Sequence, residues 1–541
     1  MLKRSVLALS CVVMWSASYN GHAAMLADST EACQSLAQQD FSFTEDAPTQ
    51  ITSAKVLSPE GQRFPVCQVD GYVAPQVGFI LQLPTSEWNG KFTEVGCGGW
   101  CGSINAEACA DPVHRGYACI ASDMGHKDAS GGVLWALGNL QAQVDFGYRA
   151  THVAALAGKA IANRFYQKPA TRSYFVGCST GGYQGVTEAQ RFPWDFDGII
   201  AGAPDIDEGG ANLRALWSAR AILDSSGQSI LTPSALEVLH KTALEHCDLD
   251  DGHKDGVIGN PVACHVDPRA LICKSGETKN CLTIAQAEAA RKLYEGASTS
   301  DGTRISTRGP YPGSELRWQE DFSSYGAVTE PYYRYGVSGS TDSPAWKYTD
   351  FNFDQDYRRN GLQSAYDNSN PDLRRFKAAG GKLIIYQGGN DTVDLPAPVI
   401  DYYETVERTM GGKAATQDFF RLFVVPGMNH CTGGDGAYAV DYLSYLEAWV
   451  ERGMRPDQLI GSHVKESYLA SHAPASIPPT MSEGDRIYYA AFDLKFPLDP
   501  AIPISFTRPI YPYPTFAKYS GHGDPNVAGS FTAVEPKQGD K

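Results

Sequence analysis

No lysine- or arginine-rich run and no basic stripe occurs anywhere in the chain. Its 45 Lys and Arg are outnumbered by 61 Asp and Glu, for a formal net charge of −16. That balance excludes the electrostatic footprint of a nucleic-acid binder or of a protein held on anionic membrane, and leaves acidity as a solubility feature. Nothing after the N-terminal region is apolar for long enough to cross a bilayer. Internal repeats and long low-complexity tracts are absent, which removes solenoids and linkers from consideration. A single N-x-S/T sequon occurs, Asn390-Asp391-Thr392. What remains is a 541-residue chain that is 43% hydrophobic, enough for a large core and an insertion.

The N-terminus carries Lys3 and Arg4, an apolar run from Val6 to Trp15, and small residues at Ala23-Ala24. The run is too short to span a membrane, so residues 1–24 read as a signal peptide and the protein as secreted or periplasmic. Of thirteen cysteines, Cys11 lies inside that run. Its removal leaves an even twelve, as a disulfide framework in an exported protein requires.

The most informative stretch is Gly177-Cys178-Ser179-Thr180-Gly181, a G-x-S-x-G pattern. It follows the β-prone Ser173-Tyr174-Phe175-Val176 and precedes a helix-like segment, Gly182 to Gln190. Strand, tight turn and helix are the context in which this pattern pushes a serine hydroxyl out to a substrate. The partners of such a serine follow in the order acid, histidine. Lys382-Leu383-Ile384-Ile385-Tyr386 is a buried-strand candidate with Asp391 in the loop after it. Phe423-Val424-Val425 leads into a loop bearing His430. The expected roles are Ser179 as nucleophile, His430 as general base and then acid, and Asp391 as the group that orients the imidazole. Asp394 and Asp205 remain alternative acids. His126 reads as a structural or pocket residue.

Cys178 directly precedes the nucleophile and Cys431 directly follows the base. Neighbours of touching residues come within the separation a disulfide tolerates, so a Cys178–Cys431 bridge is expected.

Cys178-Ser179, Asp391 and His430-Cys431 together resemble the Cys-Ser, Asp, His-Cys arrangement of the tannase and feruloyl esterase family. The likeness extends through Glu87-Trp88-Asn89-Gly90-Lys91-Phe92, Phe196-Asp197-Gly198-Ile199-Ile200-Ala201-Gly202-Ala203-Pro204 and Val425-Pro426-Gly427-Met428-Asn429-His430-Cys431. The resemblance implies an α/β-hydrolase fold with a large inserted lid. It also implies a serine carboxylic-ester hydrolase acting on aromatic esters of feruloyl or galloyl type through an acyl-enzyme. A terephthalate-monoester or other aryl ester hydrolase is the alternative within the family. A non-catalytic, calcium-dependent binding protein on the same fold is the alternative outside enzymology.

The same resemblance implies the disulfides Cys33–Cys67, Cys178–Cys431, Cys247–Cys264 and Cys273–Cys281. For the remaining four cysteines, neighbouring strands suggest Cys97–Cys119 with Cys101–Cys109. An ester hydrolase also needs donors for the tetrahedral oxyanion. One is expected to be the N–H of Thr180, after the nucleophile. By resemblance the other is Gly99, with Gly98 as fallback, in the loop Gly96-Cys97-Gly98-Gly99-Trp100-Cys101-Gly102.

Strand candidates Val77–Leu83, Phe92–Gly96, Ala118–Ser122 and Tyr174–Val176, with a helix over Val153–Arg164, point to a mostly parallel α/β sheet. The pattern breaks after Pro204. The expected division is a catalytic domain at 25–204 and 371–541 with a lid at 205–370, the core resuming on a helix begun by Asn370-Pro371. Within the lid, the run from Asp248 to Ile258 has the spaced carboxylates and glycines of a calcium loop, without the terminal Glu of an EF-hand. The resemblance implies a structural Ca2+ held by side chains of Asp248, Asp251 and Asp255 and carbonyls of His253 and Val257. Tyr332, Tyr333, Tyr335 and Trp346 either stack on a substrate ring or form lid core.

Overall fold

The computed structural model describes residues 29–58, 63–128, 132–337, 346–358, 365–474, 477–478 and 480–536. The expected signal peptide lies outside the described residues. The chain divides into two compact units. The first takes the chain up to Val95, then Gly102–His126 and Arg149–Tyr174. The second takes Gly96–Cys101, Lys127–Tyr148 and everything from Phe175 onward.

In the first unit, β1 (Thr49–Leu57), β2 (Val66–Val73), β3 (Val77–Pro84), β4 (Lys91–Val95) and β5 (Ala118–Ser122) are ordered β1-β2-β3-β5-β4. The pairs β1–β2, β2–β3 and β3–β5 are antiparallel, and the pair β4–β5 is parallel. The expectation of a mostly parallel sheet is therefore corrected here to a mixed one. The two strands that the expected set lacked, β1 and β2, leave many of their residues half-buried or exposed, as strands with one solvated face do. Strand β5 is buried at all five positions and reads as an apolar run. Helix α1 (Ala150–Tyr166) is alanine-rich, which favours helix and close packing. At Gly158 an added Cβ would lie 2.8 Å from the Phe92 ring, so only glycine fits there. Disulfides Cys33–Cys67 and Cys109–Cys119 close within this unit.

Strand β6 (Arg172–Cys178) carries the chain into the second unit, and α2 (Thr180–Arg191) follows it after one residue. The sheet order there is β6-β7-β8-β9, with β7 (Gly198–Gly202), β8 (Lys382–Gly388) and β9 (Phe420–Val425) parallel. Register pairs Gly198 with Lys382 and Gly202 with Tyr386. Residues 205–370 thus leave after one strand and return to its immediate neighbour, as an insertion does. They pack in the same compact unit as β7 and β8, so the two units do not divide the chain at 204 and 370.

The insertion has a core of its own. Helices α3 (Glu208–Ala221), α4 (Pro233–Cys247), α5 (Ile284–Glu295) and α6 (Trp318–Pro331) bring together Leu239, Leu293, Trp318 and Phe322, all buried. Their starts are written in the sequence. Thr232 caps α4 ahead of Pro233, and Thr283 and Gln286 form a capping box on α5. The helix expected from Asn370-Pro371 begins at Arg374 instead. The Asn370 side chain accepts from the N–H of Asp372, holding a turn where a helix cap was expected.

Disulfides Cys97–Cys101, Cys178–Cys431, Cys247–Cys264 and Cys273–Cys281 close in the second unit. The expected Cys97–Cys119 and Cys101–Cys109 pairs are corrected to Cys97–Cys101 and Cys109–Cys119. Cys119 is in register with Thr93 of β4, four residues short of Cys97, roughly 13 Å along a strand. The turn after β4 instead brings Cys97 and Cys101 to a Cα separation of 5.6 Å. Among the described residues no helix is long and apolar enough to cross a membrane.

Candidate active site

Three strands of one sheet deliver three side chains beyond their C-terminal ends, where ligands meet an open α/β sheet. Ser179 follows β6, Asp391 lies three residues past β8, and His430 five residues past β9. All three belong to the second unit. Helices α7 (Pro396–Met410), α8 (Tyr442–Arg452) and α9 (Glu483–Phe492) follow in the chain.

Ser179 sits at φ 62° and ψ −126°, a strained conformation for a residue with a side chain. Two hydrogen bonds hold it. Its N–H donates to the Gly202 carbonyl at 3.0 Å, and its carbonyl accepts the Tyr183 N–H at 2.9 Å. The flanking glycines are a steric necessity. A Cβ at Gly177 would lie 2.5 Å from the Gly181 carbonyl oxygen.

His430 is oriented by Asp391, whose Oδ2 accepts the imidazole Nδ1–H at 2.9 Å. Asp391 is fully buried and accepts three further hydrogen bonds. They come from the Gln387 side chain at 3.0 Å and the N–H groups of Val393 and Asp394 at 2.9 and 3.0 Å. Such a carboxylate has no freedom to turn. The Tyr488 hydroxyl on α9 donates to the His430 carbonyl at 2.6 Å and fixes the loop from the other side. Cys178 and Cys431 are bridged with a Cα separation of 5.9 Å, tying the serine turn to the histidine loop.

Asp394 is not the orienting acid. Its Oδ2 lies 4.0 Å from His430 Nε2, the opposite edge of the ring, and receives the Ser179 hydroxyl at 3.5 Å. Burial acts first on both groups. It pushes the Asp394 carboxyl up to about 8, with the His430 charge opposing and Asp205 and Asp391 reinforcing. For His430 burial favours the neutral ring, but the charge and hydrogen bond of Asp391, with Asp394, outweigh it and raise the imidazole to about 9.

A pocket of ≈ 320 Å³ opens at Ser179, lined also by Gly98, Gly99, Thr180, Asp205 and Glu208. Thr180 is the first residue of α2, so its N–H has no partner within the helix. The Thr180 hydroxyl donates to the Gly99 carbonyl at 2.6 Å and locks the glycine loop over the serine turn. The Cys97 N–H is already taken by the Gln184 side chain at 3.0 Å. Gly98 and Gly99 follow it at the pocket wall, where the sequence places the second oxyanion donor. A larger cavity of ≈ 890 Å³ lies in the insertion beside Trp217, Arg291 and Asp354, and none of the expected site residues lines it.

The lid aromatics are core rather than lining. Tyr332 stacks on Trp100 at 5.7 Å, and Tyr333 packs on Trp346 at 5.9 Å. The insertion instead reaches the acid loop by hydrogen bonds. Asn390 donates to the Gly313 carbonyl at 3.0 Å and the Tyr325 hydroxyl to the Thr392 carbonyl at 3.1 Å. Asn390 is 9% exposed, so the lone sequon is closed to a glycan.

Residues missed from sequence are Gln387, Tyr488 and Glu208. The signal for the last was the run Asp205-Ile206-Asp207-Glu208 at the C-terminal end of β7. His126 is buried in the first unit.

In the proposed calcium loop, Asp248 and Asp251 are buried and Asp255 pairs with Arg508 at 2.6 Å. Asp248 Oδ1 accepts the N–H groups of Asp255 and Gly256, and Asp251 Oδ1 accepts that of His253. Val257 donates its N–H to Asp255. Burial, with Asp255 and Asp248 adding to it, pushes the Asp251 carboxyl up to about 7 despite the His253 N–H and Arg508. One guanidinium against three carboxylates leaves an excess of negative charge that a divalent cation fits. The three carboxylates are not drawn together to within 4.8 Å of one another.

Comparison with known proteins gives a consistent picture. Residues 61–534 match the family model described as tannase and feruloyl esterase. An uncharacterized esterase of Xanthomonas campestris is 30% identical, over 95% of this chain and 93% of its own. The mono(2-hydroxyethyl) terephthalate hydrolase of Piscinibacter sakaiensis is 31% identical, over 87% and 85%. The crystal structure of feruloyl esterase B from Aspergillus oryzae superimposes with a TM-score of 0.78 at 25% identity, over 94% of this chain and 100% of that one.

Proposed function

From membership of the tannase and feruloyl esterase family, to which this chain belongs, and from its character as a carboxylic ester hydrolase, we propose that it cleaves esters of aromatic carboxylic acids through an acyl-enzyme on Ser179. The observation that carries this is the joining of Ser179 and an Asp391–His430 pair by one disulfide at the mouth of a pocket. In the resting state the Ser179 hydroxyl is turned to Asp394. Rotation about its side-chain bond brings it to His430 Nε2. The Ser179 oxygen then attacks the ester carbonyl carbon while Nε2 takes the hydroxyl proton. The carbonyl oxygen becomes an oxyanion held by the N–H groups of Thr180 and Gly99. Its collapse breaks the bond to the alcohol, which leaves with the proton from His430. Water, deprotonated by the same nitrogen, attacks the acyl-serine and releases the free acid.

Calcium belongs to this proposal as a structural ion held by Asp248, Asp251 and Asp255 with the carbonyls of His253 and Val257. When bound it supplies charge compensation to buried carboxylates and no step of the reaction. Secretion or a periplasmic location is proposed as well, since six disulfides need an oxidising compartment.

The direct test is hydrolysis of methyl ferulate and methyl gallate by purified protein. Release of ferulic or gallic acid at a rate that Ser179→Ala abolishes is expected. Failure on every aromatic ester, with aliphatic esters turned over, would overturn the reading.

A further inference from the structure

The loop after β4 carries a disulfide that the reaction as described does not use. Cys97 and Cys101 are bridged at a sequence separation of 4, with Gly98, Gly99 and Trp100 between them. Gly98, Gly99, Trp100 and Cys101 all line the pocket at Ser179. The start of the loop is fastened to the two elements that flank the serine. The Gly96 N–H donates to the Val176 carbonyl of β6 at 2.9 Å, and the Cys97 N–H to the Gln184 side chain of α2 at 3.0 Å. A Cβ at Gly96 would lie 2.5 Å from Gly181 Cα, so backbone rests on backbone there. Beyond Cys97 the close packing stops. Gly98 and Gly99 are exposed, and a Cβ on either would meet nothing within 4 Å. Two adjacent glycines have the widest choice of conformation a chain can have, and Gly99 takes φ +57°.

One turn selects among those conformations. The Cys101 N–H donates to the Gly98 carbonyl at 3.1 Å. The Gly98 carbonyl and the Gly99 N–H belong to one planar, trans peptide and point in opposite directions. Whatever holds Cys101 therefore aims the Gly99 N–H. Cys101 itself sits at φ 58°, a left-handed conformation that a residue with a side chain keeps only under constraint. The bridge to Cys97, anchored on Gln184, supplies that constraint. The Thr180 hydroxyl fixes the following peptide through the Gly99 carbonyl and leaves the Gly98–Gly99 peptide to the bridge.

We propose that Cys97–Cys101 is a positioning bridge, which holds the Gly98–Gly99 peptide in the orientation where Gly99 stabilises the oxyanion, and so acts on the transition state and not on substrate binding or the fold. The proposal rests on the acyl-enzyme reading with Gly99 as the second donor. A donor fixed before the reaction pays no reorganisation when the charge develops, whereas one on a free glycine pair does. Stabilisation of the whole chain by a crosslink grows with the length of loop it closes. Among the disulfides of the described residues this one closes the shortest, which leaves local geometry as its main effect.

The test is the double variant Cys97→Ser with Cys101→Ser. The control is Cys273→Ser with Cys281→Ser, which removes the next shortest bridge, at a separation of 8 and outside the pocket lining. Both are assayed on methyl ferulate and on 4-nitrophenyl acetate, and titrated with phenylboronic acid, which forms a tetrahedral adduct on an active serine. Loss of the Cys97–Cys101 bridge should lower kcat and kcat/KM together by about 30- to 100-fold, and weaken phenylboronic acid by a factor of the same order. KM should stay within about threefold and the melting temperature within about 4 °C of the wild type. The control should keep wild-type turnover and phenylboronic acid affinity. Turnover within about threefold of the wild type in the folded variant would overturn the proposal. A fall in kcat with phenylboronic acid binding unchanged, or an equal fall in the control, would do the same. Failure of the variant to fold would make the bridge structural and also overturn it. A wild type that hydrolyses neither ester would overturn the acyl-enzyme reading itself, and this proposal with it.

Discussion

His430 has a carboxylate at each edge of its ring, and the two do different work. Asp391 accepts the Nδ1–H and is held by four hydrogen bonds, whereas Asp394 stands 4.0 Å from Nε2 beside the serine hydroxyl. Both were visible in the sequence as candidate acids. Their spacing of three residues could not separate them, because the choice depends on a turn in which the N–H groups of Val393 and Asp394 fold back onto Asp391. A general base must be neutral at Nε2, and the two carboxylates hold the ring charged to about 9 against the effect of burial. The folded value is raised. Stability from the charged ring is therefore fully present below the ordinary value of about 6.5 and is lost as pH rises through about 9. Activity moves the other way. kcat/KM should rise with pH along a limb centred well above 6.5, and Asp394→Asn, which removes one raising charge, should move that limb to lower pH. A limb that stays in place in the variant would contradict the geometry assigned to Asp394.

At the scale of elements, the strand–turn–helix unit β6–Ser179–α2 was fully legible because its requirements are local: glycines that admit a sharp turn, a β-prone run before it and a helix after it. The antiparallel strands β1 and β2 were missed because a half-solvated strand carries too few apolar residues to stand out. The cysteine pairs near the glycine loop were misassigned because strand proximity was weighed and the compact turn from Cys97 to Cys101 was not. The Cys178–Cys431 bridge, in contrast, follows from the adjacency of Cys178 to Ser179 and of Cys431 to His430. It closes a sequence separation of 253 residues, for which loop entropy gives an upper bound of about 5 kcal/mol. The double change Cys178→Ala with Cys431→Ala should lower turnover strongly while costing less stability than that bound, since five other bridges remain. Unchanged turnover in the double variant would show that the bridge does not position the site. The calcium loop is tested by chelation and by Asp251→Ala. Each should lower the melting temperature and leave the rate per folded molecule unchanged. Loss of turnover in fully folded, calcium-free protein would contradict a structural role.

For the whole molecule, the residues between β7 and β8 form a packed helical body. Its capping signals, Thr232-Pro233 and Thr283 with Gln286, mark helices that bury Trp318, Phe322 and their neighbours. Tertiary packing of those helices, not any single residue, brings the Tyr325 hydroxyl to the Thr392 carbonyl and the Gly313 carbonyl to the Asn390 side chain, and periodicity alone does not reveal it. All of this depends on Ser179 being the group that carries the acyl chain. The most direct measurement is reaction with a serine-directed aryl phosphonate, followed by intact mass and peptide mapping. One adduct per molecule, on Ser179, should form in step with loss of ester hydrolysis, and Ser179→Ala should take no label and retain on the order of a millionth of the turnover. Inactivation with the label on another residue, or turnover that survives complete labelling of Ser179, would contradict the account.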